Sequence, residues 1–174
     1  VAVTGVNCAL TAVVITTDVL CFGDASGTAQ VNVSGALGEV DILWSNGDTV
    51  ALIVNLAAVI YSVMVSDTAG CVVVTDFTIA QPDALTSICV ATGETMDGGN
   101  DGTVTCSPSG GVPPYHFLWS NGDTTGGIIN LVPGVYTVTI TDANACAHLD
   151  TATVNGFNCA LLIILWIENA TCEG

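Results

Sequence analysis

The chain has 174 residues, no Lys or Arg, 16 acidic residues and a formal net charge of −16. A chain without Lys or Arg cannot replace the counterions of a phosphate backbone, which excludes nucleic-acid binding as a main function, and the same lack argues against docking on anionic lipid. With 51% hydrophobic and only 9% charged residues, it builds a core and does not behave as a disordered acidic tail.

The predicted elements are strands throughout. In the first half they fall near 10–17, 28–35, 39–45, 49–56, 59–67 and 72–80. In the second half they fall near 85–92, 103–110, 115–120, 124–131, 134–142 and 147–154. Tyr136-Thr-Val-Thr-Ile-Thr141 alternates β-branched residues with the period of a half-buried strand. Ser-Asn-Gly-Asp at 45–48 and 120–123 predicts a tight hairpin turn that uses positive φ. Gly110-Gly-Val-Pro-Pro114 breaks the sheet before the next strand. No stretch carries a helical period.

Two nested repeats organise these strands. Leu43-Trp-Ser-Asn-Gly-Asp-Thr49 recurs 75 residues later as Leu118 to Thr124. At that offset Leu10 meets Leu85, Asn55-Leu56 meets Asn130-Leu131, Tyr61 meets Tyr136, Asp67 meets Asp142 and Cys71 meets Cys146. A longer period of 151 brings Asn7-Cys-Ala-Leu10, Cys21 and Gly23 onto Asn158-Cys-Ala-Leu161, Cys172 and Gly174. The expected division is a first repeat at 1–82, a second at 83–158, and the opening strand of a following repeat at 159–174. That last strand, with the apolar run Ala160 to Ile167, is too short to span a membrane. It is expected either to be covered by a further repeat or to be donated to another subunit. The start, Val1-Ala-Val-Thr-Gly5, lacks the charged region of a signal peptide, so the chain reads as cut from a longer secreted precursor.

Eight cysteines without a CxxC pair point to disulfides in an oxidising compartment, not to zinc or thioredoxin chemistry. They are Cys8, Cys21, Cys71, Cys89, Cys106, Cys146, Cys159 and Cys172. Two pairing schemes stay open. In an up-and-down arrangement of strands, Cys21 and Cys71 lie a strand length apart, too far for a disulfide. Cys21 then reaches Cys146, Cys8 serves Cys71, and Cys89 meets Cys106 on adjacent strands. The rival scheme is Cys21–Cys71, Cys89–Cys146 and Cys106–Cys159.

Trp44 and Trp119, on the third strand of each repeat, read as core residues more than as sugar platforms. Tyr61 and Tyr136 read as structural, with the hydroxyl bonded to backbone at a strand corner. No nucleophile arrangement accompanies His116 or His148, so no catalytic residue is expected and the chain is not an enzyme. Asp97-Gly-Gly-Asn-Asp-Gly102 is an acidic turn; Asp97, Asn100 and Asp101 are the one set able to hold Ca²⁺, and no other cofactor is expected.

The strings Cys21-Phe-Gly-Asp-Ala-Ser-Gly27, Trp44-Ser-Asn-Gly-Asp-Thr49 and Asp67-Thr-Ala-Gly-Cys71 resemble the SprB repeat. Gly110 to Gly122 and Asn130 to Cys146 carry the same likeness in the second copy. Departures are Met96 in place of the first family cysteine of the second repeat, the added Cys89 and Cys106, and Cys8 and Cys159 in linkers. The resemblance implies an all-β fold of tandem immunoglobulin-like, PKD-like sandwiches of about six to seven strands each. It implies a structural or adhesive segment of an extracellular bacterial surface filament or giant adhesin. The partners would be copies of the chain, adjacent repeats or surface glycans. Thr49, Thr68, Thr124 and Thr151 sit in Asp-Thr triplets that resemble the O-glycosylation signal of Bacteroidota. The alternative function is a carbohydrate-binding accessory module of a secreted hydrolase, against which the low aromatic content of 6% argues.

Overall fold

A computed structural model describes residues 8–158. The predicted opening strand at 159–174, with Cys159 and Cys172, lies outside the described residues. The chain divides into two units, Val1–Ala84 and Leu85–Gly174.

The first unit contains β1 (Thr11–Thr17), β2 (Gly27–Ser34), β3 (Val40–Trp44), β4 (Leu52–Leu56), β5 (Ile60–Asp67) and β6 (Val72–Thr78). Its two antiparallel sheets have the orders β1-β2-β4 and β3-β5-β6. Strand β1, Thr-Ala-Val-Val-Ile-Thr-Thr, alternates exposed and half-buried side chains, as the period-two pattern requires. The inward residues of both sheets meet in one core: Ala29 and Val31 from β2, Ile53 from β4, Trp44 from β3, and Val63 and Val65 from β5. That makes a sandwich. Each of the larger aliphatic side chains in it contributes roughly 1.5–3 kcal/mol by leaving water.

The second unit contains β7 (Thr86–Thr92), β8 (Gly102–Ser109), β9 (His116–Trp119), β10 (Gly127–Leu131), β11 (Gly134–Thr141) and β12 (Ala147–Val154). Its sheets, β7-β8-β10 and β9-β11-β12, repeat the first topology. Val104, Trp119, Ile128, Val138, Ile140 and Val154 fill its core. The described fold is all-β and antiparallel, in agreement with the sequence reading.

Repeat-equivalent residues that looked like mere signatures have backbone reasons. Asn55 and Asn130 adopt φ of 58° and 57°, the left-handed region that asparagine tolerates better than most residues. Each precedes the buried leucine that ends its strand, Leu56 or Leu131. Gly27 and Gly102 open β2 and β8 where no side chain fits. A Cβ at Gly27 would stand 2.7 Å from the Ile79 side chain and 2.9 Å from the Leu56 carbonyl, and one at Gly102 would meet Val154 and the Leu131 carbonyl.

The Ser-Asn-Gly-Asp turn departs from expectation. Gly47 and Gly122 do take positive φ, 91° and 87°, but the turn does not close a hairpin of paired strands. Strand β3 pairs with β5, and β4 pairs with β2 in the opposite sheet. The physical reason lies just past the turn. The Val50 carbonyl accepts from the Trp44 indole N–H at 2.7 Å, and the Ala51 carbonyl accepts from Val31 N–H at 2.9 Å. The chain is thereby drawn across the core to β2. Thr125 and Gly126 do the same for Trp119 and Cys106.

Candidate functional site

In a chain with no Lys or Arg, a buried carboxylate must find backbone N–H groups or hydroxyls for partners. Asp67 and Asp142, 8% and 3% exposed, do so in the same way. Asp142 follows β11. Its Oδ1 accepts from Asn144 and Cys146 N–H, both at 2.9 Å, and its Oδ2 accepts from Val112 N–H at 2.8 Å. Asp67 ends β5. It takes Ala69 and Cys71 N–H on Oδ1 and Leu37 N–H on Oδ2. Each carboxylate pins the turn before the last strand to the loop between the second and third strands. The Leu37 N–H is the main cause that holds Asp67 below the usual carboxylate range, with burial opposing it. At Asp142 burial pushes the pKa up, and the donors Val112, Cys146 and Asn144 together outweigh it, leaving it lowered. These clamps were visible in the sequence only as a repeat-equivalent Asp-x-x-x-Cys pair, and their role was not read from it.

The cross-links are built on these same elements. Cys71, at the clamped turn, bonds Cys8 ahead of β1, with Cα atoms 5.6 Å apart. Cys89 on β7 bonds Cys106 on β8, directly opposite in register, with Cα atoms 4.0 Å apart. Cys106 N–H points away from β7 to the Gly126 carbonyl, so the two cysteines form a non-hydrogen-bonded pair, where side chains stand closest. In the first unit the same two positions are Val14 and Val31, also paired. These bonds exclude the rival scheme, since Cys71, Cys89 and Cys106 are all engaged otherwise. Strand order agrees with the first scheme: Cys8 and Cys71 precede β1 and β6, and Cys21 follows β1 at its far end. Cys21 and Cys146 each take part in a disulfide as well.

The aromatic residues are placed as follows. Trp44 and Trp119 are 1% and 2% exposed, and each donates its indole N–H to a backbone carbonyl. Phe77 meets Trp44 edge-on at 5.6 Å. Tyr136 donates its hydroxyl to the Val132 carbonyl at 3.0 Å, a corner of the kind found in immunoglobulin-like sandwiches. Tyr61 differs: it stacks on Phe77 at 5.8 Å.

Of the candidate modification sites, Thr49, Thr68, Thr124 and Thr151 are all exposed. Thr68 donates its hydroxyl to the Leu37 carbonyl at 3.1 Å. In the 97–102 turn the Asp101 carboxylate is occupied by Thr95, through both N–H and hydroxyl, and these bonds lower its pKa. Asp97 and Asn100 are exposed, and Asn100 N–H donates to Glu94 Oε1. No group of three acidic, His or Cys side chains gathers as a metal site among the described residues.

One polar cluster was missed by sequence reasoning. Ser87 Oγ donates to Asp150 Oδ2 at 2.5 Å, and His148 stands near enough to lower the Asp150 pKa, after Ser87 and Thr151. The first unit has Ala12, Thr75 and Val73 at these positions. His116 is exposed on β9. The serine hydroxyl is spent on the carboxylate and not on the imidazole, so this arrangement does not activate a nucleophile. Only the meeting of β7 and β12 brings the three together.

The SprB repeat family model matches residues 13–49 and 98–124. Both matched segments end at the threonine of the Trp-Ser-Asn-Gly-Asp-Thr turn. No curated protein matches the chain. Similar solved structures include "Crystal structure of DIP-gamma IG1+IG2", at 12% identity and a TM-score of 0.42, over 86% of this chain and 98% of that one. "Structural basis for Dscam isoform specificity" is similar at 13% and 0.37, over 83% and 41%. "Structure of amphioxus IgVJ-C2 molecule" is similar at 17% and 0.33, over 83% and 96%. The sheets and cores described above carry the fold assignment, and each of the two β-sandwich units contains one of the segments that the SprB repeat model matches.

Proposed function

We propose that the chain is a structural, adhesive and non-catalytic segment of an extracellular bacterial surface filament or giant adhesin. The observation that carries this reading is the duplication of a whole mechanical unit. Two sandwiches share strand order, a buried tryptophan tied to backbone, and a buried aspartate clamp. Nothing in that shared set is a reactive site; every part of it resists opening. SprB repeats belong to cell-surface proteins, and disulfides suit an oxidising exterior. No described helix is long and apolar enough to cross a membrane. The partners would be copies of the chain or adjacent repeats, and surface glycans. The exposed Thr49 and Thr124, which follow equivalent turns, are the favoured O-glycan acceptors.

Negative-stain microscopy of the native protein tests the proposal. Long regular filaments are expected. Compact monomers with measurable glycan affinity would instead favour a carbohydrate-binding accessory module, a reading weakened by the burial of Trp44 and Trp119.

A further inference from the structure

Three Asn-Gly pairs occur in the described chain: Asn46-Gly47, Asn121-Gly122 and Asn155-Gly156. Asn-Gly is the dipeptide most prone to self-modification, because glycine leaves its N–H open to the preceding side chain. The glycine nitrogen attacks the asparagine Cγ, forms a C–N bond and expels ammonia. The resulting succinimide then takes up water and opens to aspartate or isoaspartate. No oxidant, metal or enzyme is required.

The fold treats the three pairs differently. Gly47 N–H is held by the Trp44 carbonyl at 2.9 Å, and Gly122 N–H by the Trp119 carbonyl at 2.9 Å. The side chains are held as well: Asn46 Oδ1 accepts Asp48 N–H and its Nδ2 donates to Asp48 Oδ2, while Asn121 Oδ1 accepts Asp123 N–H. To react, either turn must first surrender these bonds. Asn155 and Gly156 follow β12 and are both exposed, and among the described residues neither the Asn155 side chain nor the Gly156 N–H has a hydrogen-bond partner. The Asn155 carbonyl accepts from Glu94 N–H at 3.0 Å.

We infer that Asn155-Gly156 is a spontaneous succinimide and deamidation site, and that the Trp-Ser-Asn-Gly-Asp turns protect the other two pairs. Each event adds one negative charge. The isoaspartate product also lengthens the backbone by a methylene beside the Glu94–Asn155 bond, which joins the end of β12 to the loop after β7. The Asn155 carbonyl is closely packed there, 2.7 Å from where a Cβ on Gly93 would stand.

The test is to age the native chain in mildly alkaline buffer and map it by mass spectrometry after chymotryptic digestion, because trypsin has no site in it. Deamidation at Asn155 is expected to run at least about tenfold ahead of Asn46 and Asn121; that ratio corresponds to about 1.4 kcal/mol, one retained hydrogen bond. In concentrated urea the three rates should converge. Equal rates in the folded chain, an unreacted Asn155, or an order that persists in urea would each overturn the inference. Gly156→Ala supplies a folded control. Its Cβ would meet only the Pro133 ring at 3.4 Å, and it should slow Asn155 alone.

Discussion

Replacing Cys89 and Cys106 together by valine isolates what that disulfide contributes. The first unit has already performed the substitution: Val14 and Val31 occupy the same register positions in the same sheet. Valine therefore fits the inward face, and its β-branching suits the strand. The remaining effect is the lost constraint on the unfolded chain. The cysteines are 17 residues apart, and the loop-entropy relation gives about 3 kcal/mol for a ring of that size. For a unit of this length that corresponds to a fall of roughly 15 °C in midpoint. Hydrogen exchange read by mass spectrometry is the right assay, because it resolves the two units in the intact protein. Peptides of β8 and β11 should lose about 3 kcal/mol of protection, and those of β2 and β5 should be unchanged. Conversely, Val14→Cys with Val31→Cys should form a bond and stabilise the first unit. A double valine variant that fails to fold would refute the equivalence of the two sites. One with unaltered protection would refute the entropic account.

The same internal comparison yields further expectations. Tyr136→Phe should cost about 1 kcal/mol through its lost bond to the Val132 carbonyl, and Tyr61→Phe less than about 0.5 kcal/mol, by urea unfolding of the intact chain. Asp67 and Asp142 have lowered folded-state pKa values, so they stabilise the protein above the ordinary carboxylate value of 3.8 and lose that effect as pH falls through the folded value. Thermal midpoints should drop steeply in that acid window, and Asp142→Asn should flatten the response of the second unit; an unchanged profile would count against the clamp. Non-reducing peptide mapping should recover Cys8 linked to Cys71 and Cys89 linked to Cys106, whereas a Cys21–Cys71 peptide would contradict the fold. Calcium should leave the midpoint of the second unit unchanged, because Asp101 is already hydrogen-bonded to Thr95; a rise on titration would assign Asp97, Asn100 and Asp101 as ligands.

The all-β class and twelve strands near their final positions were legible in the sequence because side-chain alternation and turn residues are local. The repeat was legible for the same reason, since equivalent backbone positions demand equivalent residues. Asn55 and Asn130 illustrate this, needing a left-handed conformation that few side chains tolerate. Tertiary structure decided the rest. Whether Ser-Asn-Gly-Asp closes a hairpin depends on where the next carbonyls find donors, and the indole of Trp44 and the N–H of Val31 draw them to the opposite sheet. The roles of Asp67 and Asp142 depend on a loop thirty residues earlier in each unit. The meeting of Ser87 with Asp150, sixty-three residues apart, depends on two strands of different sheets lying side by side. Periodicity fixes which face of a strand is inward; only packing of the two sheets decides what that face meets.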